Sequence, residues 1–230
     1  MRSVTERPIP GGWSERQISV AGRCFHIVLA TDPDKFLDDY TEDPSAPREL
    51  RDPYWARLWP VSEEFAAYLS EQPIADGTRV LEIGCGLGLT GLALLARGCH
   101  LTFSDYVPLA VEAALENSRR NGFVGVGRIM DWHETHAEEK WPLVVGSDLV
   151  YDRTLHRPLL NFLGQILEPE GECWLADPGR SISLEFLLTA DDCGMHVSLR
   201  DRQGRPTTDS DLGRFQVIVV RRQRGAGPRG

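Results

Sequence analysis

No apolar run in this 230-residue chain is long enough to cross a bilayer, which takes ~20 consecutive residues. Its opening stretch, MRSVTERPIPGGWSERQ, has no apolar segment of the kind that directs secretion. Cysteine is sparse. The five residues Cys24, Cys85, Cys99, Cys173 and Cys193 form no C-x-x-C pair and no metal-ligand spacing, which predicts free thiols in a reducing compartment. These absences together predict a cytoplasmic protein with no membrane partner and no metal. Positive charge is not in excess either. A formal net charge of -9 argues against binding nucleic acid, because neutralising phosphates needs clustered Lys and Arg. It suits a basic partner or a cationic group on a substrate. There is no internal repeat, and the length fits one domain, expected as a monomer.

What is present is an alternation. The first dozen residues are polar and rich in Pro and Gly, and RQISVAGRCFHIVLA reads as a hairpin around Ala21-Gly22. TDPDKFLDDYTEDPSAPRELRDPYW reads as a short helix and a loop, and Phe65, Tyr68 and Leu69 mark a helix that stops at Pro73. From TRVLEI onward, strands and helices alternate through LTGLALLARG, CHLTFSD, PLAVEAALENSRRNG, VGVGRIMDW, PLVVGSDLVYD, RPLLNFLGQILEPEG, ECWLADP and SISLEFLLTADDCG. MHVSLR and RFQVIVVRRQ then follow with no helix between them. Such an alternation implies an α/β doubly wound, Rossmann-like sheet, with the last strand antiparallel. The expected division is an N-terminal extension with the hairpin over residues 1–52, one domain over 53–222, and a disordered tail over 223–230.

The stretch LEIGCGLGLTG holds two overlapping signals. A dinucleotide-type G-x-G-x-x-G runs from Gly86 to Gly91, and a G-x-G-x-G occupies Gly84, Gly86 and Gly88 behind the acidic Glu82. The strand RVLEI ends at Gly84, so the second pattern is in register with the strand-to-helix turn and the first comes two residues late. A carboxylate at Glu82 would sit badly beside a pyrophosphate but suits an ammonium or sulfonium. Asp105, ending the next strand, is placed for ribose hydroxyls. Asp131-Trp132 ends the third, where an indole beside a carboxylate suits an adenine. His133 and His136 read as solvated loop residues.

In these residues the chain resembles the seven-strand S-adenosylmethionine-dependent methyltransferases, and within them the methyltransferase-16 group, whose studied members mostly modify protein lysines. LEIGCGLGLTGLALLARG with TFSDY is similar to the shared nucleotide-binding motifs. MDW is similar to the group's adenine segment, GSDLVYD to its D-x-x-Y hallmark, and DPYWARLWPVSEEFAAYL to an upstream helix start whose tryptophan meets the cofactor. The resemblance covers roughly Pro53 to Pro178. The N-terminal hairpin and PYW also resemble a bacterial branch related to the electron-transfer-flavoprotein lysine methyltransferases, and a related arginine-modifying branch.

The resemblance implies S-adenosyl-L-methionine as cofactor, held by Trp59, Glu82, Gly84, Cys85, Gly86, Gly88, Asp105, Asp131, Trp132 and Ser147. It also implies catalytic roles for Asp148 as substrate anchor and Tyr151 as aromatic wall, with Tyr54 and Trp55 either lining the entrance or packing against the sheet. The expected activity is N-methylation of a lysine presented by a protein partner. The alternatives are an arginine or small-molecule amine as acceptor, or a cofactor-binding module without activity. An NAD-dependent oxidoreductase is a distant fourth, since no hydride-chemistry residues stand beyond the loop.

Overall fold

Apolar runs between the glycines and prolines become strands, and the segments joining them wind into helices. The structure is a computed structural model that describes residues 3–134, 139–208 and 213–223. The expectation for the tail therefore lies almost wholly outside the described residues, as does His136. The first elements are the hairpin strands β1 (Trp13–Val20) and β2 (Arg23–Ala30), the short helices α1 (Lys35–Asp38) and α2 (Arg48–Arg51), and α3 (Pro60–Glu71). Then come β3 (Arg79–Ile83), α4 (Leu89–Leu95), β4 (His100–Asp105), α5 (Pro108–Arg120), β5 (Val126–Ile129) and β6 (Trp141–Ser147). The chain continues through α6 (Arg153–Ile166), β7 (Leu167–Asp177), α7 (Ser183–Asp192), β8 (Met195–Arg200), β9 (Pro206–Thr207) and β10 (Gln216–Arg222).

The main sheet has the order β5-β4-β3-β6-β7-β10-β8-β9. Strand β3 pairs in parallel with β4 on one side and β6 on the other, so the chain reverses its direction of travel across the sheet at the carboxyl end of β3. Ligands of open α/β sheets bind at such a switch point. Strand β10 runs antiparallel to both β7 and β8, as the helix-free link predicts. The two-residue β9 adds an eighth strand to the expected seven, folding back on the edge of β8.

Burial on both faces explains the continuous apolar runs. Leu81, Val144, Leu175 and Ile218 face α6 and α7, where they meet Leu159, Phe162 and Phe186. The alternate residues Val80, Val145, Trp174 and Val219 meet Phe65 and Leu69 of α3 and Leu94 of α4. Each such fully buried side chain contributes on the order of 1.5–3 kcal/mol.

Among the boundaries that differ from the sequence reading, two have a clear local cause. Helix α6 starts a turn earlier, at Arg153, because the Asp152 carboxylate caps it by accepting from Thr154 N at 2.8 Å. Its apolar stripe of Leu159, Phe162, Leu163 and Ile166 keeps it helical through Pro158. Strand β7 starts at Leu167 rather than near Glu172, and its register against β6 shifts between Trp141 and Leu143. Gly171 permits the shift, since a Cβ there would lie 2.7 Å from the Trp141 carbonyl.

The hairpin closes through Ala21 and Gly22, with φ of 47° and 79°, the paired left-handed conformation of a two-residue turn. It forms a sheet of its own that docks on α5. The Asn117 side chain accepts from Val28 N at 2.7 Å and donates to Val28 O at 3.1 Å. One helical turn on, Asn121 does the same to His26, at 2.9 and 2.8 Å. Two carboxamides four residues apart thus pair with strand residues two apart. Phe25, Ile27 and Val28 complete one core with Trp55, Leu92 and Ala110.

Candidate active site

A cavity of about 520 Å³ opens at the carboxyl ends of β3, β4 and β6, within the size range of small-molecule and cofactor sites. Its floor is the turn from β3 into α4. Gly84, Gly86 and Gly88 adopt φ of 57°, 47° and 78°, a left-handed run that only glycine tolerates repeatedly. Gly91 does something else. It lies inside α4, where a Cβ would stand 2.3 Å from Leu101 and 2.5 Å from Phe103, so its role is to let the helix sit close to the sheet. The turn uses Gly84–Gly86–Gly88, in the register read from the sequence.

Asp105 ties this turn to the next strand. Its Oδ2 accepts from Gly86 N and its Oδ1 from Val107 N, each at 3.0 Å. Burial pushes its carboxyl up to about 6, against the opposing pull of those backbone N–H groups. Each carboxylate oxygen keeps further acceptor capacity. Cys85 lines the cavity as a thiol, since burial raises its pKa well above the ordinary value.

Glu82 is not among the residues lining the cavity. The two-residue period of β3 places it on the same face as Val80, and a Cβ on Gly91 would come 2.4 Å from its Oε2. The side chain is therefore buried beneath the first turn of α4, and Oε2 has no hydrogen-bond partner. Burial, with the charge of Asp105 added, raises its pKa well above the ordinary carboxylate value. Glu82 thus lies beneath the turn, with Gly91 above its carboxylate.

Along one wall, Asp131 and Trp132 lie at the carboxyl end of β5 with His133 beside them. Asp131 accepts from Arg48 of α2 at 3.1 Å and from His133 N at 3.0 Å. Arg48 also lies over the Tyr106 ring, 5.3 Å from its centroid. At the mouth, Trp59 caps α3 and donates its indole N–H to Tyr54 O at 3.1 Å. Tyr54, 47% exposed, stands edge-on to Tyr151 at 6.3 Å. Burial, with the charge of Asp52 added, raises the pKa of the Tyr151 hydroxyl, and Tyr106 responds in the same way. Both remain hydrogen-bond donors. Trp55 also borders the cavity, but it is buried between Trp13 of the hairpin and Phe36 of α1, at 6.2 and 5.6 Å.

Ser147 and Asp148 face the glycine turn from the end of β6. Asp148 has φ 59°, an uncommon conformation for a non-glycine residue. Both of its carboxylate oxygens are engaged by the guanidinium of Arg180, Nη2 reaching Oδ2 at 3.1 Å. Arg180, Asp52 and Tyr106 also line the cavity, and Arg48 stands behind it through Asp131 and Tyr106; the sequence reading gave none of the four a site role. For Arg180 a signal existed in ADPGR, a strand end followed by a Pro-Gly turn at the same sheet edge. Asp52 opens the stretch DPYWARLWPVSEEFAAYL, whereas Arg48 precedes every motif and carries none.

A family model described as lysine methyltransferase matches residues 49–188. The chain is 31% identical over 199 residues to the electron transfer flavoprotein beta subunit lysine methyltransferase of Xenopus laevis, covering 73% of this chain and 80% of that one. The protein of the same name from Danio rerio is 30% identical over 133 residues, 56% of this chain and 52% of that one. The chain spans about half the length of several curated relatives that it matches. Among solved structures, a TehB-like SAM-dependent methyltransferase from Corynebacterium glutamicum superposes with a TM-score of 0.58 at 18% identity, over 70% of this chain and 88% of that one. At that identity the likeness is one of fold.

Proposed function

We propose that this chain, which belongs to the lysine methyltransferase family, transfers a methyl group from S-adenosylmethionine to the side-chain amine of a lysine on a protein partner. One observation carries the reading: a single cavity joins the Gly84–Gly88 turn and Asp105 to Asp148 and Tyr151. The chemistry of the lining suits the cofactor. A left-handed glycine turn lets backbone approach it, the Asp105 carboxylate suits ribose hydroxyls, and Trp132 beside Asp131 suits an adenine. Cys85, Trp59 and Ser147 border the same space, and the Glu82 carboxylate lies buried directly beneath the turn.

When bound, the cofactor supplies an electrophilic methyl group on a sulfonium. The residues of this chain then have three tasks. They align the amine in line with that methyl, keep water out, and favour an amine that has given up its proton, starting from a pKa of ~10.4. Asp148 accepts a hydrogen bond from the amine, while Tyr151 and Tyr54 wall the approach. The net charge of -9 suits a partner that presents lysine within a basic surface. All five cysteines are free, which suits the cytoplasm. Among the described residues no helix is long and apolar enough to cross a membrane.

The test pairs binding with transfer. Asp148→Asn should abolish transfer of label from radioactive S-adenosylmethionine to extract proteins, while S-adenosylhomocysteine affinity stays nearly unchanged, because an acceptor residue acts mainly in the transition state. Mapping the labelled residue by mass spectrometry decides the acceptor. Label on arginine or only on small molecules overturns the lysine assignment, and loss of cofactor affinity in step with activity moves Asp148 to the cofactor side.

A further inference from the structure

The carboxylate assigned to the acceptor is already paired. Asp148 is almost buried, with a side chain 10% exposed, and Arg180 forks onto it while itself remaining 36% exposed at the cavity rim. The loop that delivers Arg180 is firmly built. The buried Asp177 carboxylate at the end of β7 accepts from Gly179 N at 2.7 Å, from Arg180 N at 3.0 Å and from Gln216 Nε2 at 3.2 Å. Asp148 is fixed from its own side by the hydrogen bond from its N–H to Ala176 O, at 2.9 Å. Two neighbouring strand ends, β6 and β7, thus hold the two halves of one ion pair against each other.

A free carboxylate walled by tyrosines would hold an ammonium, through charge and ring faces together. Held that way, a lysine keeps its proton and has no lone pair with which to attack. A fork from arginine changes this in two respects. It occupies one acceptor position on each oxygen and leaves the others open, since a carboxylate offers about four. It also places a permanent positive charge beside the amine, which disfavours a second cation.

We propose that Arg180 is a specificity-determining residue of the acceptor site: its guanidinium neutralises Asp148, so that the cavity receives a neutral amine and does not trap an ammonium. This rests on the methyl-transfer reading above. The proton leaves the lysine for solvent as the side chain enters, and the amine then donates an N–H to an open position on Asp148. Its lone pair forms the new N–C bond as the C–S bond breaks and that bond's electrons stay on sulfur. The product is a methylammonium, and repulsion from Arg180 favours its departure.

The experiment uses n-butylammonium, a mimic of the lysine side chain, titrated by NMR into the full chain saturated with S-adenosylhomocysteine. Wild type should bind it weakly. Arg180→Met should bind it roughly fivefold more tightly, the scale of one partly exposed ion pair, with S-adenosylhomocysteine affinity unchanged. Arg180→Lys should behave as wild type, and Arg180→Met combined with Asp148→Asn should lose the gain. Should Arg180→Met fail to fold, Arg180→Gln provides the same readout with the same expectation. No gain in the single variant, or a gain that survives Asp148→Asn, overturns the proposal. If the gain appears while wild type labels no lysine in extract, the charge assignment stands and the lysine reading falls.

Discussion

The side-chain amide of Asn117 donates to the carbonyl of Leu87 at 3.0 Å while also holding Val28 of the hairpin. Leu87 belongs to the glycine turn that floors the cavity, so one fully buried carboxamide joins the N-terminal hairpin to the proposed cofactor site. Asn121, a turn away, holds the hairpin through His26 without reaching the turn. The hairpin is therefore coupled to the cavity at one position and merely anchored at the other.

That difference gives a paired prediction. Asn117→Asp removes the donors to Val28 O and Leu87 O, leaving buried carbonyls unpaired at a cost of ~1–3 kcal/mol each. Both stability and S-adenosylhomocysteine affinity should fall, the latter ~tenfold for one lost hydrogen bond's worth of turn geometry. Asn121→Asp should lower stability with affinity close to wild type. Urea unfolding and calorimetry measure the two quantities, and equal affinity losses in both variants would disprove the coupling.

Gly88→Ala should cost far more stability than Gly122→Ala. Both glycines have nearly the same left-handed φ, 78° and 79°, so each alanine meets ~1–2 kcal/mol of backbone strain. At Gly122 nothing lies within 4 Å of the added Cβ, whereas at Gly88 it meets Ala114 at 2.8 Å and Phe103 at 2.9 Å. Overpacking that buried contact adds ~1–3 kcal/mol. Urea midpoints of the two variants should differ accordingly, and equal midpoints would show that the turn is not held against α5.

Glu116 should make the fold acid-sensitive. Hydrogen bonds from Arg119 first, then Arg120 and Ser3, hold its carboxyl down at about 2 despite the desolvation that opposes them. Its folded pKa is depressed below the ordinary 4.5, so the stabilisation is complete above that value and is lost as pH falls through about 2. Glu116→Gln should lower stability by ~1–3 kcal/mol at pH 7, and the gap to wild type should narrow by pH 3. A gap that is constant with pH would mean that the loss is one of shape and not of charge.

Legibility in the sequence followed the range of the forces involved. The order of β3, α4, β4 and α5 was readable because apolar runs, Pro at helix starts and Gly at turns act locally, and the hairpin was readable from Ala21-Gly22. The register of Gly84, Gly86 and Gly88 followed from where one strand stops. The side of the strand on which Glu82 emerges did not, because a strand buried on both faces carries no alternation to mark the cavity side. ADPGR places Arg180 at the right sheet edge but does not mark Asp148 as its partner, and Asn117 was illegible altogether, because it acts across the fold on Val28 and nothing nearby in sequence marks that partner. Asp148 was legible as a residue at a strand end, but its pairing is with a residue 32 positions away.

The pH dependence of cofactor binding follows from Asp105. Its carboxyl is raised from 3.8 to about 6, chiefly by burial. In the free protein the folded state therefore holds this proton more tightly than the unfolded chain does. The stability contributed by the group is complete below 3.8 and is lost as pH rises through about 6. On the proposed contact of Asp105 with the ribose, binding runs the other way, because the hydroxyls are met best by the ionised form as acceptor. S-adenosylhomocysteine affinity should be flat above pH 7 and fall below about 6, by up to ~tenfold per pH unit. Across the same window, the rise in melting temperature on adding S-adenosylhomocysteine should grow as pH increases from 5 to 7. Asp105→Asn should weaken binding by ~1–3 kcal/mol at pH 7.5 and abolish the acid decline, since no proton remains to compete. Calorimetry from pH 5 to 8 on both proteins measures this directly. An acid decline that persists in Asp105→Asn would assign the titration to another group and take Asp105 out of contact with the ribose.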